Sequence, residues 1–226
     1  MRDCCKKDWY QTTATTIERY GTDLVSNEHL LAAVLGIDLQ NEANQPVADL
    51  FEGTHSLRKV SKKTFRELTK VKGIGNKKAS AILAAFELGR RLMKEEAEEK
   101  TNLDSSLSIY DYIKPWVLGL DHEEAFLLIL NQHFDLLKMV RLGVGGLTEI
   151  SIDIRLIIKE TCLANGTIIA LVHNHPSNSP TPSKNDDQLT LKVQKACEVT
   201  RIFFMDHLII GSDCKKYYSY HDKGKL

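Results

Sequence analysis

"TIIALVHNHPSNSPTPSKNDD", residues 167–187, holds the stretch that decides how this chain reads. The apolar, largely β-branched run from Thr167 to Val172 has the composition of a strand buried on both faces. It leads straight into His173-Asn174-His175. On an extended chain residues i and i+2 point to the same side, so both imidazoles address one point in space. A loop of seven residues, stiffened by Pro176, Pro180 and Pro182, then reaches Ser183-x-x-Asp186 at the start of a helix. Two neutral imidazoles and a carboxylate are a donor set that suits zinc, and three protein ligands leave a fourth position open, as in catalytic sites. Taken singly, each part has a plainer meaning. Ser183 and Asp186 form a capping-box-like pattern with an acid where the helix dipole favours one, and an H-x-H is often two half-exposed histidines. Together, at the end of a buried strand, they point to a metal site that uses the helix cap in its construction.

The text on either side has the same grammar. Upstream, "AFLLILN" reads as a buried strand, "LLKMVRLG" and "LTEISI" as strands around the turn "GVGG", and "DIRLIIKETCLA" as an amphipathic helix. Downstream, "SKNDDQLTLKVQKACEV" reads as a helix, with "RIFFMDHLIIG" and "KKYYSY" as strands. Strands alternating with two helices predict an α/β domain with a mixed sheet. Gly143, Gly145 and Gly146 lack the strand-to-helix context of a nucleotide-binding loop and read as a turn. Cys162 and Cys197 read as buried helix residues. Asp206-His207 reads as a satisfied core histidine beside an acid, with a pair supporting or lining the site as the alternative. A hydrolytic site also needs a proton acceptor, and the candidates are Glu123 and Glu124, just before "AFLLILN"; an ordinary solvated strand entry is the other reading.

The first half is helical. "SNEHLLAAVLG", "VADLFEG" and "TFRELTKV" read as helices, and "VKGIGNKKASAILAAFELGRRLM" as a tight glycine turn followed by a long one. The expected organisation is a tail or first helix over 1–22, a helical domain over 23–93, a polar linker over 94–107 and the α/β domain over 108–226. From Arg58 to Lys78 there are nine basic residues and one acidic residue, Glu67. Gly73 and Gly75 permit close backbone approach, and Lys77 and Lys78 stand beside the next helix N-terminus, an arrangement able to hold a phosphate. The expectation is weak, non-specific contact with DNA through its backbone; a turn that only packs two helices is the alternative.

Composition excludes several classes. With 30 basic and 30 acidic residues among 226, no whole-protein electrostatic grip on nucleic acid or an anionic membrane is expected. No apolar run approaches the ~18 residues of a membrane span, and the opening residues lack the apolar segment of a secretory signal. Five cysteines without C-x-x-C spacing argue against a disulfide framework or a thiolate zinc finger. They fit free thiols in a reducing cytoplasm.

"HNHP", the step from His175 to Ser183 and the S-x-x-D that follows resemble the JAMM signature of the JAB/MPN metalloprotease fold. The longer text "HNHPS…PSKND…T" with "DHLIIG…YYSY" is similar to the RadC family in particular, and "KGIGNKKASAILAAFELGRR" resembles that family's helix-hairpin-helix. The resemblance implies a cytidine-deaminase-like MPN/JAB mixed sheet with flanking helices, preceded by a small all-α domain. It implies one Zn2+ per chain held by His173, His175 and Asp186, with Ser183 supporting the tetrahedral intermediate. Glu123, with Glu124 as the fallback, would be the catalytic base for cleaving a peptide or isopeptide bond of an unidentified protein or peptide. The rival expectation is a DNA-binding or repair accessory in which the zinc domain is a scaffold. A third is an MPN-type interaction module, against which the intact constellation argues. Two positions depart from the family pattern. Asn178 stands where glycine is usual, a residue that tolerates left-handed backbone better than most, and Ala125 stands where a larger residue is usual.

Overall fold

The computed structural model describes residues 13–37, 45–144 and 152–226. "LTEISI", except for its last residue, and Gly145 and Gly146 lie outside them, as do residues 1–12 of the expected tail. The chain divides into two compact units, Met1–Arg90 and Arg91–Leu226.

In the first unit, helices α1 (Thr13–Tyr20), α2 (Asn27–Leu35), α3 (Gln45–Phe51), α4 (Leu57–Ser61) and α5 (Phe65–Lys70) precede the long α6 (Asn76–Glu98). Their limits follow local chemistry. Ser26 caps α2 by accepting from the His29 N–H, and Gly36 ends it in the left-handed conformation, φ 61°. Thr64 and Glu67 close a capping box at the start of α5. Leu31, Leu35, Val47, Leu50, Val60, Leu68 and Ile82 build the core of this unit. The division between units falls inside α6, so residues 94–98 of the expected linker continue a helix, as the strong helix formers of "KEEAE" favour.

After the end of α6, the second unit continues with α7 (Ser106–Val117), a helix that the strand-like reading of this half passed over; Pro115 lies near its C-terminal end. Then follow β1 (Glu124–Leu130), β2 (Leu136–Val144), α8 (Ile154–Leu163), β3 (Ile168–His175), α9 (Lys184–Thr200), β4 (Phe203–Gly211) and β5 (Tyr217–Ser219). The five strands form one sheet in the order β2-β1-β3-β4-β5. Only β3 and β4 run parallel, joined through α9, so the sheet is mixed. This is the α/β architecture that the sequence predicts.

The sheet's two faces are covered differently. Phe126, Leu128, Leu130, Ala170 and Val172 pack with Ile109 and Ile113 of α7. Leu127, Ile129, Ile169 and Leu171 pack with Ile157 of α8 and with Val193 and Cys197 of α9. Strand alternation therefore assigns odd-numbered residues of β1 and β3 to the α8–α9 face and even-numbered ones to the α7 face. In α8 the buried residues are Ile157 and Thr161, one turn apart. Cys162 falls off that stripe and is exposed, correcting its expected burial, whereas Cys197 is buried. Among the described residues no helix is long and apolar enough to cross a membrane.

Candidate metal centre

His173 and His175 are the last odd-numbered residues of β3, so they leave the sheet on the α8–α9 face, where α9 begins. Asp186 sits in the first turn of α9, and Thr190, Val193 and Cys197 continue its buried stripe. Two elements, β3 and α9, thus meet at one point. The His173 and His175 Nε2 atoms are 3.1 Å apart. Asp186 places Oδ1 3.1 Å from His173 Nε2 and Oδ2 3.5 Å from His175 Nε2. The candidate ligand atoms of the three side chains lie within 4.8 Å of one another.

The loop between them is held tightly. His175 Nδ1 lies 2.9 Å from the Ser179 carbonyl, which can only accept; Nδ1 therefore carries a proton, and in the neutral ring Nε2 is the nitrogen with the lone pair. Asn178 adopts φ 62°, the left-handed backbone that its chemistry tolerates. The loop also presses on β4. A Cβ added to Gly211 would stand 2.6 Å from the Asn178 carbonyl oxygen, so only glycine fits there. Ser183 caps α9, accepting from the Asp186 N–H at 3.2 Å, while the Ser183 N–H donates to Asp186 Oδ2 at 2.7 Å. The capping box and the candidate ligand are the same carboxylate.

Burial opposes a charge on Asp186, but the neighbouring His173 and His175 side chains and the Ser183 N–H hold its carboxyl well below the usual carboxylate range. Burial likewise opposes charge on His175, and the Asp186 carboxylate and Ser179 carbonyl outweigh it, raising the imidazole above its ordinary value. Imidazole nitrogens this close, facing a carboxylate, need a positive centre between them, whether a shared proton or a metal ion. Two nitrogens and an oxygen are donors that fit zinc.

An open cleft of about 880 Å³ lies over this point, lined by Glu123, Ala125, His173, His175, Ser183 and Asp186 among others. Ala125 pairs directly with His173 across the β1–β3 ladder, so its small side chain leaves the cleft open. Glu123 and Glu124 are separated by strand parity. Glu123 faces the cleft with the odd-numbered residues. Glu124 is buried on the other side, where its Oε1 takes His122 Nε2 at 2.8 Å and Arg141 Nη2 at 2.5 Å. Glu124, the fallback base, is thus occupied away from the candidate ligands.

Asn174 is fully buried and, by alternation, leaves β3 on the α7 side. Its Oδ1 accepts from the Glu124 N–H at 2.8 Å, and its Nδ2 donates to the His122 carbonyl at 2.9 Å. One side-chain amide therefore clamps the backbone on both sides of Glu123. The sequence reading passed over Asn174. Its signal was an amide inside an otherwise apolar strand end, since a buried polar group must find partners. Asp206 and His207 also divide between the faces. Asp206 accepts from Ser106 of α7 at 2.7 Å and from Ser219 at 2.6 Å. His207 is a satisfied core histidine, as expected, but its Nε2 lies 2.9 Å from His173 Nδ1, so it also backs the site.

The basic hairpin lies in the first unit. Gly73 has φ 88°, and an added Cβ would meet Pro46 Cγ at 2.7 Å, whereas one on Gly75 would meet nothing within 4 Å. The Lys78 ammonium donates to the Gly73 carbonyl at 3.2 Å, closing the turn. Lys77 stands beside it at the start of α6 and is exposed.

Residues 103–225 match the RadC-like JAB domain family. The chain is 36% identical over 211 residues to a UPF0758 protein of Porphyromonas gingivalis, covering 92% of each chain. It is 34% identical over 205 residues to one of Flavobacterium johnsoniae, covering 90% of this chain and 89% of that one. With one of Clostridium botulinum it shares 34% identity over 210 residues, 92% of this chain and 91% of the other. The domain match and the near full-length similarity together establish that this chain belongs to the RadC family.

Proposed function

We propose that this protein is a zinc-dependent metallohydrolase that cleaves a peptide or isopeptide bond in a protein or peptide substrate. The observation that carries the reading is the convergence of His173, His175 and Asp186 beneath a cleft that Glu123 and Ser183 also line. Zinc held there would polarise the scissile carbonyl and make water acidic enough to ionise near neutral pH. Glu123, the carboxylate on the cleft side, accepts the proton of the attacking water and delivers it to the leaving amine. The Ser183 hydroxyl, on the cleft wall, donates to the oxyanion that develops on the carbonyl. Asn174 and the β1–β3 ladder keep Glu123 at a fixed height over the ligands, the preorganisation such transfers require.

The test is metal content by elemental analysis on tag-free, chelator-free protein. About one zinc per chain is expected, lost in His173→Ala and in Asp186→Ala, and with it cleavage of peptide and isopeptide libraries. A wild type that stays metal-free after zinc is supplied would overturn the reading. The weight would then move to the hairpin, where Lys77→Ala with Lys78→Ala would weaken a salt-sensitive DNA interaction.

A further inference from the structure

His207 has no exposed surface and sits in β4 beneath the centre. Among the described residues neither of its ring nitrogens is paired with a carboxylate, since Nε2 meets His173 and Nδ1 the Thr190 hydroxyl, so the buried ring is neutral. A neutral imidazole has one N–H and one lone pair, so its two hydrogen bonds must run in opposite senses. Their sense is set at Thr190. The Thr190 hydroxyl has a single proton and lies 2.7 Å from the Asp186 backbone carbonyl, which can only accept. Toward His207 Nδ1, also 2.7 Å away, the threonine oxygen is then the acceptor. His207 therefore carries its proton on Nδ1 and presents a lone pair on Nε2. At 2.9 Å from that lone pair, His173 Nδ1 must be an N–H. His173 Nε2 is left as the nitrogen that faces His175 and Asp186, where a metal ion would take the place of any proton it shares with them. The His207 plane is fixed by Tyr220, stacked on it at 5.0 Å and 6°, whose hydroxyl is tied to Asp187 at 2.8 Å.

We propose that Thr190 and His207 are positioning residues: a directed hydrogen-bond relay from Thr190 through His207 holds His173 in the Nδ1–H tautomer and leaves its Nε2 free to bind a metal ion. The two candidate ligand histidines differ in how they are set. A backbone carbonyl fixes His175, and a carbonyl cannot reverse its role. A second imidazole fixes His173, and an imidazole can donate or accept at either nitrogen, so the decision passes to Thr190. The relay begins on the backbone of Asp186 and ends on the ring of His173, joining a ligand on α9 to one on β3 through β4. Its effect on zinc rests on the metal-site reading above, whereas the tautomer does not.

The experiment is long-range proton–nitrogen correlation spectroscopy of the imidazoles in 15N-labelled, metal-free protein at alkaline pH, with zinc affinity measured alongside by chelator competition. In the wild type, His173, His175 and His207 should all be Nδ1–H. Thr190→Val keeps the side chain's shape and removes the hydroxyl. It should convert His207 and His173 to Nε2–H, leave His175 unchanged as an internal control, and weaken zinc binding about 10- to 100-fold, the usual cost of losing an outer partner. Thr190→Ser should restore both tautomer and affinity. Nε2–H at His173 in the wild type overturns the proposal without any variant. So does Thr190→Val with the His173 tautomer unchanged. Tautomers that follow the relay in a protein that binds no zinc would support the relay and sink the hydrolase reading, which separates the two.

Discussion

Two helices of this protein begin beside a tight turn rich in polar or basic residues, and they put those turns to different uses. At the start of α9, the turn is closed by groups from other elements. Ser179 holds His175, Gly211 of β4 admits Asn178, and the helix's own capping acid faces two imidazoles from β3. At the start of α6 the polar contact stays within the turn, with Lys78 donating to the Gly73 carbonyl, and Gly73 meets α3 only by packing on Pro46. In the first case the polar groups left over after folding point at a common centre. In the second, one of the two lysines beside the helix start already serves the turn's own backbone. Sequence composition alone does not distinguish these outcomes. What matters is whether the turn is the meeting point of several strands and helices.

The comparison can be tested most strongly at β1. Glu123→Ala should lower hydrolysis about 10²- to 10⁴-fold, the usual contribution of a general base, with fold and bound zinc intact. Glu124→Ala should do the reverse. It removes the shared partner of Arg141 and His122, costing about 1–3 kcal/mol of stability with turnover within about tenfold, since its side chain faces away from the cleft. Peptidase assays beside urea titrations of the two variants decide this, and equal losses of activity would end the assignment by parity.

At the α6 turn the expected effects are on stability. Gly73→Ala forces a side chain into left-handed backbone and against Pro46, and should cost about 1–3 kcal/mol. Gly75→Ala has open space and should be close to neutral, within about 0.5 kcal/mol. Thermal melts of both would show whether the turn is held by packing, as its geometry states.

The smallest effect is a pH dependence. His122 lies between Asp121 and Glu124, each at 2.8 Å, and these carboxylates raise its pKa above the ordinary 6.5. A histidine whose folded pKa is raised stabilises fully below its unfolded value and loses that contribution as pH rises through the folded one. The stability difference between wild type and His122→Gln should therefore be largest near about pH 5 and fade toward about pH 9. Denaturant midpoints across that range measure it, and a difference that grew with pH would mean that His122 is not held as a cation.

Much of this was legible in the chain itself. The strand ending in His173-Asn174-His175, the serine cap with Asp186, and the mixed sheet all follow from periodicity and capping chemistry. Other features were hidden for physical reasons. Helix α7 carries Pro115 and a run of tyrosine and serine that blurs its period. β1 is apolar on both faces, so nothing in its own text says whether Glu123 or Glu124 shares a side with the histidines. Only its register against β3, Ala125 opposite His173, decides that. Thr190, three helical residues past Asp187, reads as an ordinary helix position until β4 brings His207 beneath it.

The pair of hydrogen bonds between Asp186 and Ser183 at its own helix start has a further consequence. Because Oδ2 already receives the Ser183 N–H, this carboxylate has an occupation that does not depend on any ion. The helix would keep its first turn, and the centre its shape, through loading and unloading. If an ion binds there, it would exchange as a lock accepts a key, without the site being rebuilt each time, so the rate of exchange would be governed by entry through the cleft and not by refolding of the loop.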